Sequence, residues 1–424
     1  MNTKLAALLS LSLVISACAP AGSTGGDGAL ARADVPRASA TPEDAAAAGA
    51  AISAFGLDLY RAVANGQTNA VLSPTSIALA LAMARAGARG QTAAEMDAVM
   101  RDLGADENAA WLNALDQALA TRSATFKDDS GQDLSVALRI ANAPFAQRGM
   151  ALEHAYLEAL ASRFGAGLRL VDYARETEAA RQQINGWVDE QTEQRIPELL
   201  APGVITPETR LTLVNAIYLK APWLTAFPDA ATAPGTFTRA DGSTVEVPLM
   251  EASAEMRHAA GAGWQAVEIP YIGGSLAMTV IVPDDLAIFE TDLTAEGLAR
   301  ILDVLEGAQV NLVLPKFSIE TKAELGALLA ALGMPTAFTD DADFSGITTA
   351  ERLAISEVIH QANIDVDEKG TEAAAATAVV MRATAMPVEP VTVRADRPFL
   401  FALRDVPTGA VLFLGRVGDP SITR

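Results

Sequence analysis

The sequence predicts an α+β fold, helices packed against mixed β-sheets, and three observations carry that prediction. Of the 424 residues, 50% are apolar and 20% charged, a globular composition with enough apolar mass for a sizeable core. Helix-spaced apolar residues dominate the first half of the chain, and short runs of β-branched and aliphatic residues crowd the second. The two kinds of segment do not alternate, which argues against a regular βαβ repeat.

At the N-terminus, "MNTKLAALLSLSLVISACAP" holds one lysine and then an apolar run of about 13 residues, too short to span a bilayer and suited to a secretory signal. It ends in Ile15-Ser16-Ala17-Cys18, which resembles a bacterial lipoprotein box: residues 1–17 read as a signal peptide and Cys18 as the lipid-carrying residue left by cleavage. Cys18 is the only cysteine, so an internal disulfide is excluded, and acylation is the better reason for an exported protein to keep it. The expected location is the bacterial cell envelope or the extracellular side. Ala19, in place of a retention aspartate, favours an outer membrane where there are two. Residues 18–46, rich in Gly, Pro, Ser and Ala, have the composition of a flexible tether. The remaining residues, 47–424, show no further low-complexity break and no internal repeat, and read as one domain.

Within that domain, Ile52, Phe55, Leu59 and Tyr60 lie at near-helical spacing. The stretch "SPTSIALALAMARAGARG" opens with Ser and Pro, as helices often do, and meets two glycines that should end it. Ile184, Trp187, Val188 and Gln191 mark another amphipathic helix. "LTLVNAIYLK" and "AMTVIVPDD" read as strands, "VNLVLPKFSIET" as a strand interrupted at Pro315, and "VLFLGRVGDP" as a last strand.

A net charge of −21 without any basic cluster argues against nucleic-acid partners and against electrostatic attachment to an anionic membrane, leaving the lipid anchor as the only expected membrane contact. None of His154, His258 and His360 stands in a metal-ligand spacing, and a lone histidine is more often structural. "IGGSLAM" fails the nucleophile-elbow pattern because residue 277 is Ala, and no S-x-x-K, Walker A or GxGxxG occurs. "DDADFSG" at 340–346 reads as a solvated loop. No metal, cofactor or catalytic constellation is expected, and the chain does not read as an enzyme.

The stretch "EKGTEAAAATAVVMRATAMPVEP", residues 368–390, fits neither helix nor ordinary linker. It is alanine-rich, yet it contains Gly370, the β-branched Thr371, Thr377, Val379 and Val380, and two closing prolines. It could form a strand but lacks an evident partner.

Six segments, "VLSPTSIALALAM", "INGWVDEQTEQRIPELL", "TRLTLVNAIYLKAPWLTAF", "VNLVLPKFSIETKAELGALLAALGM", "VIHQANIDVDEKGTEAAAATA" and "RADRPFLFALRDVPTGAVLFLGRVGDP", resemble signature segments of the serpins, in serpin order, across residues 49–424. The resemblance implies a serpin fold: helices around three mixed β-sheets, with an exposed reactive loop over about residues 368–390. It implies a monomer that inhibits a target serine protease, or a cysteine protease, as a suicide substrate. Once cut, the loop inserts as a new strand into the main sheet and carries the acylated protease with it. The alternative reading is a non-inhibitory serpin serving as a binding or chaperone-like module.

The resemblance assigns the hinge to Glu368, Gly370, Thr371, Glu372, Ala373, Ala374, Ala375, Ala376 and Thr377. In a strand, Thr371, Ala373, Ala375, Thr377 and Val379 would share one face, all small or β-branched, with charged Glu372 on the outward set. Ser73, Pro74, Ser76, Asn215 and His360 match the shutter under the main sheet, and Trp223 the tryptophan where the loop enters. The resemblance also implies a scissile bond seventeen residues on from the hinge glutamate, counting both ends, which from Glu368 is Thr384-Ala385, a small residue suiting the shallow pocket of elastase-like or subtilisin-like enzymes. Cleavage at Arg382-Ala383, the alternative, would draw a trypsin-like enzyme and leave the strand short.

Overall fold

The computed structural model describes residues 29–128, 131–372 and 389–423. Cys18, Ala373 to Thr377 and the bonds at Arg382-Ala383 and Thr384-Ala385 lie outside the described residues.

The described strands form two sheets. The first contains β1 (Ala29–Ala31), β3 (Ala124–Lys127), β4 (Asp133–Gln147), β5 (Leu168–Val171), β6 (Leu211–Pro222), β12 (Phe317–Glu324), β13 (Glu357–Asp367) and the two-residue β14 (Gly370–Thr371), in the order β1-β5-β4-β6-β14-β13-β12 with β3 on β4. The second contains β2 (Asn69–Leu72), β7 (Ala233–Thr238), β8 (Thr244–Gly261), β9 (Trp264–Pro270), β10 (Leu276–Pro283), β11 (Glu306–Pro315), β15 (Val391–Arg394), β16 (Phe399–Asp405) and β17 (Val411–Val417). Both sheets are mixed: β6 with β13, β4 with β5 and β11 with β15 run parallel, and the other pairings are antiparallel. The mixed sheets that the resemblance implies are present, joined through shared strands among the described residues. The 18-residue β8 pairs in turn with β7, β11 and β9, so one continuous ladder joins what would otherwise be separate sheets.

The helices are α1 (Pro42–Ala64), α2 (Pro74–Arg85), α3 (Gly90–Val99), α4 (Ala109–Ala120), α5 (His154–Phe164), α6 (Tyr173–Gln191), α7 (Leu286–Asp292), α8 (Ala295–Asp303) and α9 (Gly326–Leu332). Ser73 caps α2 by accepting the Ser76 N–H, with Pro74 as the first helical residue, and every residue of the helix is buried. A helix apolar on all sides belongs in the middle of a core. It ends at Arg85; Gly87 follows and Gly90 opens α3. Helix α6 instead lies on the first sheet, where Ile184 and Val188 join Val214 of β6 and Ile359 of β13 in a separate apolar cluster. It therefore covers the line where β6 meets β13.

Order begins earlier in the chain than composition suggests, and the tether boundary at residue 46 is corrected. Strand β1 pairs antiparallel with β5, and α1 starts at Pro42 behind its Thr41 cap. Arg37 reaches Asn113 Oδ1 at 3.0 Å and Asp116 at 2.6 Å on α4. Sequence composition cannot show that a polar segment has a polar groove waiting for it.

Candidate functional site: the hinge and the seam of the main sheet

The parallel ladder between β6 and β13 covers Thr212–Ala216 against Glu357–Gln361 and stops there. Past that point the strands part. At the far end Gly370 and Thr371 occupy the space between them, Thr371 opposite both Ala221 and Val366, and Gly370 opposite Pro222 and Asp367. β14 runs antiparallel to both neighbours, so the fork is closed at its base by the parallel ladder and stoppered at its mouth by two loop residues.

Local chemistry explains why the chain turns there. Asp367 Oδ1 accepts the backbone N–H groups of Lys369 at 2.8 Å and Gly370 at 3.2 Å, closing a tight turn after β13. Burial raises the Asp367 pKa, against which these two bonds act. Gly370 has φ 151°, and a Cβ there would stand 2.2 Å from the Ala221 carbonyl oxygen. Only glycine fits. Thr371 is 2% exposed, and its hydroxyl lies 2.6 Å from that of Tyr271, itself fully buried.

The expectation of a loop exposed from residue 368 onward is thus corrected for its first residues. Glu368 is buried, bonded to Lys316 at 2.8 Å and Thr232 at 2.9 Å. Burial raises its pKa, but the Lys316, backbone and Thr232 hydrogen bonds outweigh that and hold it below the usual value. Glu372 has φ 50°, its N–H donates to the Asp365 carbonyl at 3.1 Å, and its side chain is only 3% exposed. The outward placement expected for it is corrected, because it is covered: Arg195 Nε lies 3.2 Å from its carboxylate.

Trp223 closes the same end. Its Nε1–H donates to the Asp367 carbonyl at 3.0 Å, its backbone N–H donates to Lys369 O at 2.9 Å, and its ring stacks on Tyr271 at 4.4 Å. The residues matched to the shutter converge at the base of the fork. His360 Nε2 accepts the Ser73 N–H at 3.1 Å, so Nδ1 carries the proton and donates to Asn215 Oδ1 at 2.5 Å. Asn215 Nδ2 donates to Ser76 Oγ at 2.5 Å and Asn142 Oδ1 at 2.6 Å. His360 is wholly buried, which depresses its pKa to about 3. Pro74 starts the helix that carries Ser76 into this cluster. His154 and His258 lie elsewhere, at the start of α5 and on β8, and the described residues contain no group that could hold a metal.

Sequence reading missed Asn142, Tyr271, Lys316 and Arg195. Asn142 carried one visible sign, a lone amide inside the apolar strand "LRIANAPF". For the other three, the partner lies far along the chain.

The β6–β13 ladder thus stops at Ala216 and Gln361, and two loop residues pair with both strands beyond it. A family model described as "Serpin (serine protease inhibitor)" matches residues 50–420. An uncharacterised serpin-like protein of Thermococcus kodakarensis is 38% identical over 87% of this chain and 85% of its own. The leukocyte elastase inhibitor of Sus scrofa is 37% identical over 88% of this chain and 99% of its own. The crystal structure of tengpin, a thermophilic serpin in the native state, superposes with a TM-score of 0.76 at 27% identity, covering 92% of this chain and 97% of that one. By fold, by sequence and by the geometry of its central sheet, this chain belongs to the serpin family.

Proposed function

We propose that this serpin inhibits a serine protease of elastase-like or subtilisin-like preference by acting as a suicide substrate, cut at Thr384-Ala385 and inserting its loop into the fork between β6 and β13. The observation that carries the reading is the seating of Gly370 and Thr371 between the two strands, antiparallel to both. Insertion need only continue a strand already begun. It would exchange the parallel β6–β13 ladder for two antiparallel ones, which pair slightly better per residue. About a dozen inserted residues at roughly 1 kcal/mol net per hydrogen bond give on the order of 10–20 kcal/mol before the loss of loop entropy. That exceeds the roughly 5–15 kcal/mol stability of an ordinary domain, enough to distort a tethered enzyme. The name of the porcine relative, a leukocyte elastase inhibitor, supports the choice of target class.

Incubation with an elastase-like protease should give an SDS-stable complex with one serpin chain, and the released C-terminal peptide should begin at Ala385. A peptide beginning at Ala383 moves the bond to Arg382. Cleavage with no complex and no gain in heat stability supports a non-inhibitory binding or chaperone-like module. The lipid anchor belongs to the same proposal, placing the inhibitor on the cell envelope: a fatty-acid probe should label the wild type and not Cys18→Ser, and equal labelling would discard it.

A further inference from the structure

The turn that ends α6 is built under backbone strain at the place where the fork must open. Glu193 and Gln194 both lie in the left-handed region, at φ 51° and 64°, which side-chain-bearing residues seldom occupy. The turn is over-determined locally. Thr192 Oγ1 donates to Val188 O at 2.9 Å and accepts the Ile196 N–H at 3.1 Å, and the Gln194 N–H reaches back to Asp189 O at 2.8 Å.

That turn is tied to both banks of the fork. On one side Glu193 meets Arg139 of β4 at 2.5 Å. On the other, Arg195 meets Asp365 of β13 at 3.5 Å and Glu372 at 3.2 Å, and its carbonyl accepts from Asn363 at 3.2 Å. β6 lies between, with Arg139 in register with Tyr218, in the stretch of β6 that no longer pairs with β13. When β13 separates from β6 and β4, one set of these contacts must give way.

We propose that Arg195 is the latch of the fork: with Glu193 it forms an ionic staple from β4 to β13 and the hinge, and its release sets the rate at which the loop inserts. The proposal rests on the loop-insertion reading above. Arg195 touches no protease in this role; it is a positioning residue that acts through the sheet. Arg139, Glu193 and Arg195 are 47%, 50% and 39% exposed, so salt should weaken the staple, whereas the covered Glu372 arm should persist longer.

The test measures uptake of a fluorescent peptide with the sequence of residues 371–384 by the uncleaved full chain, which needs no target enzyme. Arg195→Gln should take up peptide about three- to tenfold faster, Arg195→Lys should recover part of the difference, and adding Asp365→Asn to Arg195→Gln should change little more. Wild-type uptake should quicken between about 0.05 and 1 M salt, and that of Arg195→Gln should respond less. Uptake by Arg195→Gln at or below the wild-type rate, with the same salt response, overturns the latch and leaves insertion intact. If the wild type takes up no peptide and gains no heat stability on loop cleavage, insertion itself fails and the latch falls with it. Should Arg195→Gln not fold, Asp365→Asn and the wild-type salt response decide between the same two outcomes.

Discussion

Thr371 is the described side chain on which the proposed insertion bears most directly, because it already sits between the two strands at the point from which the inserted strand would continue. Its hydroxyl shares a hydrogen bond with the buried Tyr271, and the residue is itself 2% exposed. Thr371→Arg would put a cation that cannot be neutralised into that space, at a cost of several kcal/mol if it were buried unpaired. The variant's hinge should therefore sit outside the sheet, with the loop still presented to a protease. Acyl-enzyme hydrolysis then outruns insertion. The expected result is cleavage at the same bond with little loss of initial recognition, almost no SDS-stable complex, and a smaller gain in heat stability than in wild type. Inhibition with unchanged stoichiometry would sink the insertion mechanism and leave a plain competitive loop inhibitor.

At the level of elements, what could be read from the sequence was what local patterns encode. The run 211–220 and residues 277–283 of "AMTVIVPDD" lie in strands β6 and β10, Pro315 does separate β11 from β12, and Ser73-Pro74 does open α2. What escaped was pairing between distant segments. Nothing local in "KGTE" says that two of its residues already stand between strands, since that depends on Ala221, Val366 and Tyr271. The candidate hinge and shutter residues stand out in the sequence only through motif resemblance, and Asn142 and Arg195 acquire meaning only from what faces them. The same holds for the N-terminal segment, whose composition reads as tether. Its Ala38 and Ser39 carbonyls accept from the amide of Asn113, which is 1% exposed, and the Ala38 N–H donates to Ser162 O on α5. A chain beginning at Thr41 keeps the α1 cap but strips Asn113 Nδ2 of both its carbonyl acceptors, leaving Gln117 on Oδ1, at a cost of roughly 1–3 kcal/mol together with the lost Arg37 and β1 contacts. Compared with a chain beginning at residue 29, its heat-unfolding midpoint should fall by about 1–4 °C. Coincident midpoints would show that the segment lies on the surface without stabilising it.

For the whole molecule, the proposed mechanism requires a native form that holds its fork shut, and the base of that fork includes one buried neutral imidazole. His360 accepts a backbone N–H at one ring nitrogen and donates at the other, so a second proton would set an N–H against the Ser73 N–H inside the core. Burial moves its pKa from 6.5 down to about 3 in the folded protein. Because the unfolded chain takes up a proton where the folded one does not, this group's contribution is fully present above pH 6.5 and is lost as pH falls from there toward 3. By about pH 5 the loss should be on the order of 2 kcal/mol, before most carboxylates begin to protonate near pH 4. His360→Gln can offer the Ser73 N–H an acceptor and Asn215 a donor without titrating. Between pH 6.5 and about 5 the wild-type unfolding midpoint should therefore drop while that of His360→Gln stays nearly level, and in wild type the His360 ring resonances should not titrate across that window. Equal acid sensitivity in the two proteins, or a His360 ring that titrates near its ordinary value, would mean that the shutter opens to solvent in the native state and that the fork is held by something other than this buried cluster.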